Sequence, residues 1–294
     1  MTIINSYING NVKVQIFDDG TKIREYQKIP KVNFPESIDI KITNYCDMGC
    51  AYCHENSNTQ GKHGNLDFLL TILKELPAGV ELAIGGGNPL AHPDLVDFLK
   101  TLKVKGIIAN ITVNQGHVDR YKGLIKYLIF EDLIKGVGIS IINKNLTPLK
   151  WLHQISENIV YHIIAGINMP SIIDEIIKIT NNPKILILGY KTFGRGIKFY
   201  NPNIEENIKQ WYRSTSNYIG KVILSFDNLA IEQLKIKRLF TDEGWDMFYM
   251  GDDFQFSMYI DAVKQEYAPT SRSFIRQNFK NYNLIKYFKQ FKNN

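Results

Sequence analysis

Cys46, Cys50 and Cys53 are every thiol in the chain, and they fall within eight residues of the stretch NYCDMGCAYCHE (44–55). A loop this short brings three sulfurs to one side, where together they can ligate metal. Structural zinc would need a fourth ligand, from His54 or a distant histidine, and zinc sites usually come as two separated cysteine pairs, which this chain lacks. A redox pair would use Cys50 and Cys53 alone and leave Cys46 idle. An iron–sulfur cubane on three thiolates leaves one iron without a protein ligand, open to a substrate or cofactor. Ligand count and spacing favour this last chemistry.

Such a loop needs a rigid element on each side. SIDIKIT (37–43) reads as a strand entering it, and NLDFLLTILKELP as a helix leaving it. The same rhythm recurs in strands at 79–86, 106–114, 136–142, 158–166 and 184–190, with amphipathic helical runs between them. β-rich apolar runs alternating with helices predict βα units and a parallel sheet. Six units in a row favour a barrel or partial barrel over a doubly wound sheet. The first ~30 residues alternate around NG and DDG, which are turn formers, and predict a small β-meander. Three regions are expected: an N-terminal β extension (1–35), a partial barrel (36–200) and a C-terminal α+β region (201–294) that shapes the substrate side.

C-x3-C-x2-C directly after the first strand of a βα series, with Tyr52 before the last cysteine, resembles the radical S-adenosylmethionine (radical SAM) superfamily over roughly residues 37–195. The resemblance implies a partial (β/α)6 barrel. It implies that Cys46, Cys50 and Cys53 hold a single [4Fe–4S] cluster and that S-adenosylmethionine chelates the fourth iron through its amino and carboxylate groups. One electron, from a flavodoxin- or ferredoxin-type donor, then gives methionine and a 5′-deoxyadenosyl radical that abstracts hydrogen from the substrate. The odd number of cysteines follows, because the cofactor is the fourth ligand.

The run GGGNP (85–89) resembles the superfamily's Gly-Gly-Glu-Pro turn, which binds the cofactor's amino group. Gly86, Gly87 and Pro89 match. Asn88 stands where Glu is usual, keeping a carbonyl acceptor without the charge. The resemblance also implies ribose and carboxylate contacts at Asn114 and Ser140. It places Gly166 and Asn168 in a loop over the adenine, and Gly189 and Tyr190 in backbone contact with it. Read as residues alone, Asn114 is also a strand cap and Ser140 a buried hydroxyl bonded to backbone. Lys191 and Arg195 are candidates for a carboxylate or phosphate, or simply solvated loop charges. Glu55 is a candidate for orienting the loop or binding substrate. The other histidines show no ligand spacing.

No cysteine follows Cys53, so a second cluster on protein thiolates is not expected. Substrate contacts are sought at Asp227, Asp252, Asp253, Tyr259 and Asp261. An acidic, aromatic surface there suits an amine or peptide N–H groups. Singly, each acid also reads as a turn or a helix cap. The tail from 272 interleaves Lys and Arg with Phe and Tyr, including Tyr282, Phe291 and Lys292. That pattern grips single-stranded RNA or packs an amphipathic helix on the body. The net charge of +6 is too small to force nucleic-acid binding and favours packing.

Three clustered cysteines cannot form a dispersed disulfide framework, and no charged, apolar leader opens the chain. No apolar run approaches the ~20 residues of a membrane span. The expectation is a cytoplasmic radical SAM oxidoreductase that modifies a peptide or amino-acid-like molecule. The alternatives are RNA or nucleotide modification by the same chemistry, and a non-catalytic iron–sulfur redox or binding protein.

Overall fold

The computed structural model describes residues 2–280 and 283–290. β1 (Ile3–Asn9), β2 (Val12–Phe17) and β3 (Lys22–Glu25) form the expected antiparallel meander. Every second residue of β2, namely Val12, Val14 and Ile16, is buried, as period-two packing requires.

The βα series follows: β4 (Ser37–Thr43), α1 (Leu66–Leu73), β5 (Glu81–Gly86), α2 (Leu95–Val104), β6 (Ile108–Asn114), α3 (Gln115–Val118), α4 (Lys122–Phe130), β7 (Gly136–Ser140), β8 (Ile159–Ile164), α5 (Ile172–Ile177) and β9 (Lys184–Leu188). The short helix expected between β7 and β8 is 3-10 in form over Thr147–Gln154. Then come α6 (Arg195–Phe199), α7 (Pro202–Ser214), β10 (Ile223–Phe226), α8 (Asn228–Gln233), α9 (Asp242–Phe248), β11 (Ser257–Asp261), β12 (Glu266–Ala268), β13 (Gln277–Asn278) and α10 (Leu284–Gln290).

One ten-stranded sheet runs in the order β10-β9-β8-β7-β6-β5-β4-β11-β12-β13. Strands β4 to β10 pair in parallel, each beside its sequence neighbour. That unreversed order is what a barrel needs; a doubly wound sheet would reverse direction at a switch point. Among the described residues, the terminal strands β10 and β13 do not bond to each other. β11 adds in parallel on the other side of β4. The last third of the chain thus supplies strands to both edges of the sheet.

The two faces of the sheet differ. Ile38, Ile40, Ile42, Leu82, Ile84 and Ile111 alternate onto one face and are buried in the core with residues of α1 and α2. The opposite face carries Asp39, Lys41, Ala83, Asn110, Thr112 and His162, all but Lys41 at least partly accessible. A sheet with helices on one side and polar, small residues on the other lines a wet interior cleft.

The meander lies at the N-terminal ends of these strands. Lys22 pairs with Glu81 at the start of β5. Lys184 Nζ, at the start of β9, donates to Asp19 O at 2.7 Å, and Asn158 Nδ2 donates to Asp18 O at 3.1 Å.

Among the described residues, the helix expected along the whole tail is confined to α10. Gln277 instead pairs with Tyr267 in the sheet, giving the tail's backbone a ladder. The ring of Phe279 lies 4.6 Å from that of Tyr267, and Tyr287 stacks on Tyr267 at 5.0 Å. Packing on the body thus absorbs these aromatics. Tyr282, Phe291 and Lys292 lie outside the described residues.

Candidate active site at the cysteine loop

The cysteines sit where β4 ends, on the C-terminal side of the parallel sheet, where active sites of such folds collect. Backbone pairing pins the loop's two ends together. Asn44 N donates to Lys62 O at 2.8 Å and Cys46 N to Asn58 O at 2.9 Å. All three thiols are free and partly accessible. Burial pushes the Cys46 and Cys50 thiols up, and the charges of neighbouring cysteines push further. Three thiolates this close repel one another, so a cationic group is what would hold them ionised.

A second segment clamps the loop from outside. Arg195 Nε donates to Cys50 O at 2.9 Å, its Nη1 to Ser57 O at 2.8 Å, and its backbone N to Cys53 O at 3.0 Å. Gly194 before it has φ +54°, and a Cβ there would lie 2.6 Å from His54 O. Arg195 is therefore bound to the cysteine loop itself rather than presented to an anion. The Tyr52 ring packs on Phe199 at 5.8 Å. Burial pushes its phenol well above the ordinary value, so it stays neutral.

The glycine turn docks on the cysteine loop by backbone. Gly87 N donates to Thr43 O at 2.8 Å and Asn88 N to Tyr45 O at 2.7 Å. A Cβ on Gly87 would lie 2.1 Å from Tyr45 O, so only glycine permits this approach. The Asn88 side chain is fully buried, and neither its oxygen nor its nitrogen has a protein partner. Buried amides are normally paired, so a two-atom orphan here is a ligand-binding signature.

The remaining positions also fall at the C-terminal ends of strands. Asn114 ends β6, accepts from Gly116 N at 2.9 Å and caps α3, while its Nδ2 donates to Cys50 Sγ at 3.6 Å. Ser140 ends β7 and is partly accessible. Gly166 and Asn168 follow β8. Asn168 is buried, with its side-chain oxygen taken by Ile164 N and its carbonyl by Trp211 Nε1 at 2.6 Å. Gly189 N donates to Asp227 Oδ1 at 2.9 Å, and both backbone groups of Tyr190 bond Gln233. Lys191, with Tyr190, Phe193, Leu229 and Arg272, lines a cleft of about 340 Å³. Asp252 accepts from Tyr249 in a surface turn, and Asp253 pairs with Arg272 at 2.7 Å.

Glu55, Tyr259 and Asp261, far apart in sequence, are brought together through a residue not singled out from sequence. Lys41, buried on β4, lies 2.8 Å from Glu55 Oε2 and 3.4 Å from Asp261 Oδ2. Tyr259 donates to Glu55 Oε1 at 3.1 Å. Burial raises the Glu55 carboxyl, but His54 and Lys41 outweigh it and hold it below the carboxylate range. Asp261 Oδ1 also accepts from Val263 N and Lys264 N. A lysine at strand position 41 carries the same sequence signal as any solvent-facing strand lysine, so nothing marked it. His117 was equally unmarked. It is buried, and its Nε2 bonds Asp47 at 2.8 Å, with Arg120 on the other Asp47 oxygen. Cys46, Asp47 and His117 bring ligand atoms within 4.8 Å of one another.

Residues 40–142 match the family model of the radical SAM superfamily. The chain thus carries a radical SAM domain over these residues. Two relatives come from Methanocaldococcus jannaschii. A 7,8-dihydro-6-hydroxymethylpterin dimethyltransferase is 25% identical over 128 residues, 38% of this chain and 25% of that protein. A probable GTP 3′,8-cyclase is 26% identical over 147 residues, covering 39% and 48%. The fold resembles the crystal structure of Streptococcus suis SuiB bound to precursor peptide SuiA (TM-score 0.62, 15% identity, covering 87% of this chain and 65% of SuiB). It also resembles SuiB bound to S-adenosylmethionine (TM-score 0.64, 14% identity, covering 86% and 65%). The chain thus spans less than two thirds of each of these proteins. Radical SAM enzymes use a [4Fe–4S] cluster and S-adenosylmethionine. Three grouped thiols, a donor to one sulfur and the orphaned Asn88 amide fit those groups. Among the described residues no helix is long and apolar enough to cross a membrane.

Proposed function

We propose that this radical SAM enzyme carries one [4Fe–4S] cluster on Cys46, Cys50 and Cys53 and acts on a peptide or amino-acid-like substrate. When bound, the cluster and S-adenosylmethionine supply a 5′-deoxyadenosyl radical that takes a hydrogen atom from the substrate. The chain's own residues orient and shield that chemistry. The observation that carries the reading is the docking of the glycine turn on the cysteine loop, through Gly87 N to Thr43 O and Asn88 N to Tyr45 O. It puts the orphaned Asn88 amide directly beside the loop, where it can meet the amino end of a ligand held at the open metal position.

The Arg195 guanidinium holds Cys50 O and Ser57 O and its backbone N–H holds Cys53 O, so the loop cannot open without breaking two charge-assisted bonds. Asn114 donates to the Cys50 sulfur, which favours its charged form. The fold likeness to SuiB in complex with a precursor peptide supports the peptide class of substrate. The RNA reading loses part of its support, because Phe279, Tyr287 and Phe288 of the tail are buried in packing and only Phe274 among the described tail aromatics from residue 272 onward is exposed. A flavodoxin- or ferredoxin-type protein is the expected electron donor, and the cytoplasm the expected compartment.

The test is anaerobic reconstitution with iron and sulfide, followed by S-adenosylmethionine and dithionite. 5′-Deoxyadenosine is expected, and Cys50→Ala is expected to abolish both it and the cluster absorption. Zinc binding without cluster formation overturns the reading.

A further inference from the structure

The stretch from Phe240 to Asp253 carries five acids and no lysine or arginine, in a chain whose net charge is +6. Large apolar side chains of the same stretch lie in water: Phe240 is 36% exposed, Met250 51%, Phe248 65% and Met247 75%. α9 forms here because Thr241 caps it, accepting from Gly244 N at 3.1 Å, with Asp242 and Glu243 in its first turn. None of the residues of α9 is buried. At 3.6 residues per turn, Asp242, Glu243 and Asp246 share one side, and Met247 and Phe248 follow around the helix.

Ring contacts hold this surface together. Phe240 meets Phe248 at 6.2 Å and Trp245 at 6.0 Å, and Trp245 stacks on Tyr249 at 4.6 Å. Trp245 also packs against the core and so anchors α9. Exposed apolar side chains that lie together and are rimmed by charge mark an interaction site, unlike singly scattered ones. Methionine adapts its shape to a partner, and Met and aromatic residues are enriched in interface cores. The acids decide the partner's sign. Among the described residues Asp242 meets Lys237 at 3.7 Å, whereas Glu243 and Asp246 have no ion pair. A cationic partner supplies what they lack.

The face adjoins the cleft beside the clamp on the cysteine loop. Asn228 Nδ2, at the start of α8, donates to Gly251 O at 3.3 Å and to Asp253 Oδ1 at 2.8 Å, and Asp253 accepts from Arg272 at 2.7 Å. Leu229, next to Asn228, lines that cleft of about 340 Å³ with Arg272, Lys191 and Phe193. A peptide lying on α9 therefore has its neighbouring residues close to the segment that ends in Arg195.

We propose that α9 and the turn after it dock a basic, amphipathic peptide segment, with its apolar side on Met247 and Phe248 and its cations on Glu243 and Asp246. This rests on the peptide reading above and adds how a part of the substrate away from the reacting residue is recognised.

The experiment uses the reconstituted full chain with S-adenosylmethionine, without oxygen and without reductant. The probe is a fluorescein-labelled helical peptide of about 14 residues with leucine on one face and lysine on the other. Its anisotropy is compared with that of a peptide with glutamate for lysine and of one with the same residues scrambled. The lysine peptide is expected to bind about tenfold tighter than either, and more weakly as salt rises. Met247→Ser with Phe248→Ser, and Glu243→Lys with Asp246→Lys, are each expected to weaken it about tenfold, and the second pair to remove the salt dependence. All four positions are exposed, and an unchanged S-adenosylmethionine affinity reports an intact fold. Equal binding of the three peptides, or binding that survives both double variants, overturns the inference. So does a dimer in sedimentation that Met247→Ser with Phe248→Ser dissociates, since the face then belongs to a second copy of the chain. Acceleration of 5′-deoxyadenosine formation by random peptides tests the peptide reading separately. Binding at α9 without acceleration keeps the docking face and removes the peptide substrate, and acceleration without binding at α9 does the reverse.

Discussion

Lys41 Nζ lies 2.8 Å from Glu55 Oε2, which ties the middle of the first barrel strand to the loop just after the last cysteine. Both side chains are largely buried, at 5% and 13% exposure, and Asp261 at 2% completes the cluster. Replacing Lys41 by Met would leave Asp261 and Glu55 without the lysine between them, with His54 the remaining basic group on Glu55. The expected loss is about 3–5 kcal/mol of unfolding free energy, the cost of breaking a buried ion pair from one side. Chemical denaturation of the cluster-free protein measures it. A loss below about 1 kcal/mol would show that water already relieves these charges.

Asn114→Asp separates two functions of one side chain. The variant keeps the oxygen that accepts from Gly116 N, and so the cap of α3. It removes the N–H directed at Cys50 Sγ and adds a negative charge there. Stability should hardly change, while 5′-deoxyadenosine formation falls about 10- to 100-fold, the usual penalty for losing a partner of a metal ligand. The cluster's midpoint potential, followed by electron paramagnetic resonance, should shift negative. An unchanged potential would sink this role.

The glycine turn offers a matched pair. A Cβ on Gly87 would meet Tyr45 O at 2.1 Å, whereas one on Gly85 meets only Thr112 Cβ at 3.9 Å. Gly87→Ala must push the turn off the cysteine loop, costing about 1–3 kcal/mol and most of the S-adenosylmethionine affinity. Gly85→Ala should fold normally. Melting curves and equilibrium dialysis distinguish them, and equal behaviour of the two would count against the docking argument.

His162 predicts a pH dependence. It lies in the interior, where burial pushes its imidazole down to about 4. An unfolded histidine titrates near ~6.5. Between those values the unfolded chain binds a proton that the folded chain does not, so stability falls as pH drops through that window and levels off below it. The contribution is about 1–3 kcal/mol, reduced from the full shift because the ring is partly wet. His162→Gln should flatten the cluster-free protein's stability between pH 6.5 and 4. An unaltered slope would assign it to other groups.

The sequence by itself determined the series of βα units and the place of the cysteines in it. Both are local: a strand such as SIDIKIT shows its period over seven residues, and C-x3-C-x2-C sets its own geometry in eight. β4 spans Ser37–Thr43 as read, and the glycine turn and Asn114 both fall at strand ends. Tertiary structure alone decided what meets across the sheet. Tyr259 and Asp261 reach the site because β11 inserts beside β4, a pairing between residues more than 200 apart that no local pattern encodes. Lys41 and Asp39 alternate with buried isoleucines, as solvent-facing residues also would. Only the curling of the sheet turns that face inward, so that one lysine becomes a buried counter-ion. Arg195 likewise reads as an anion-binding candidate or a solvated loop charge, and only the chain after β9 folding back on the cysteine loop gives it carbonyls to bind.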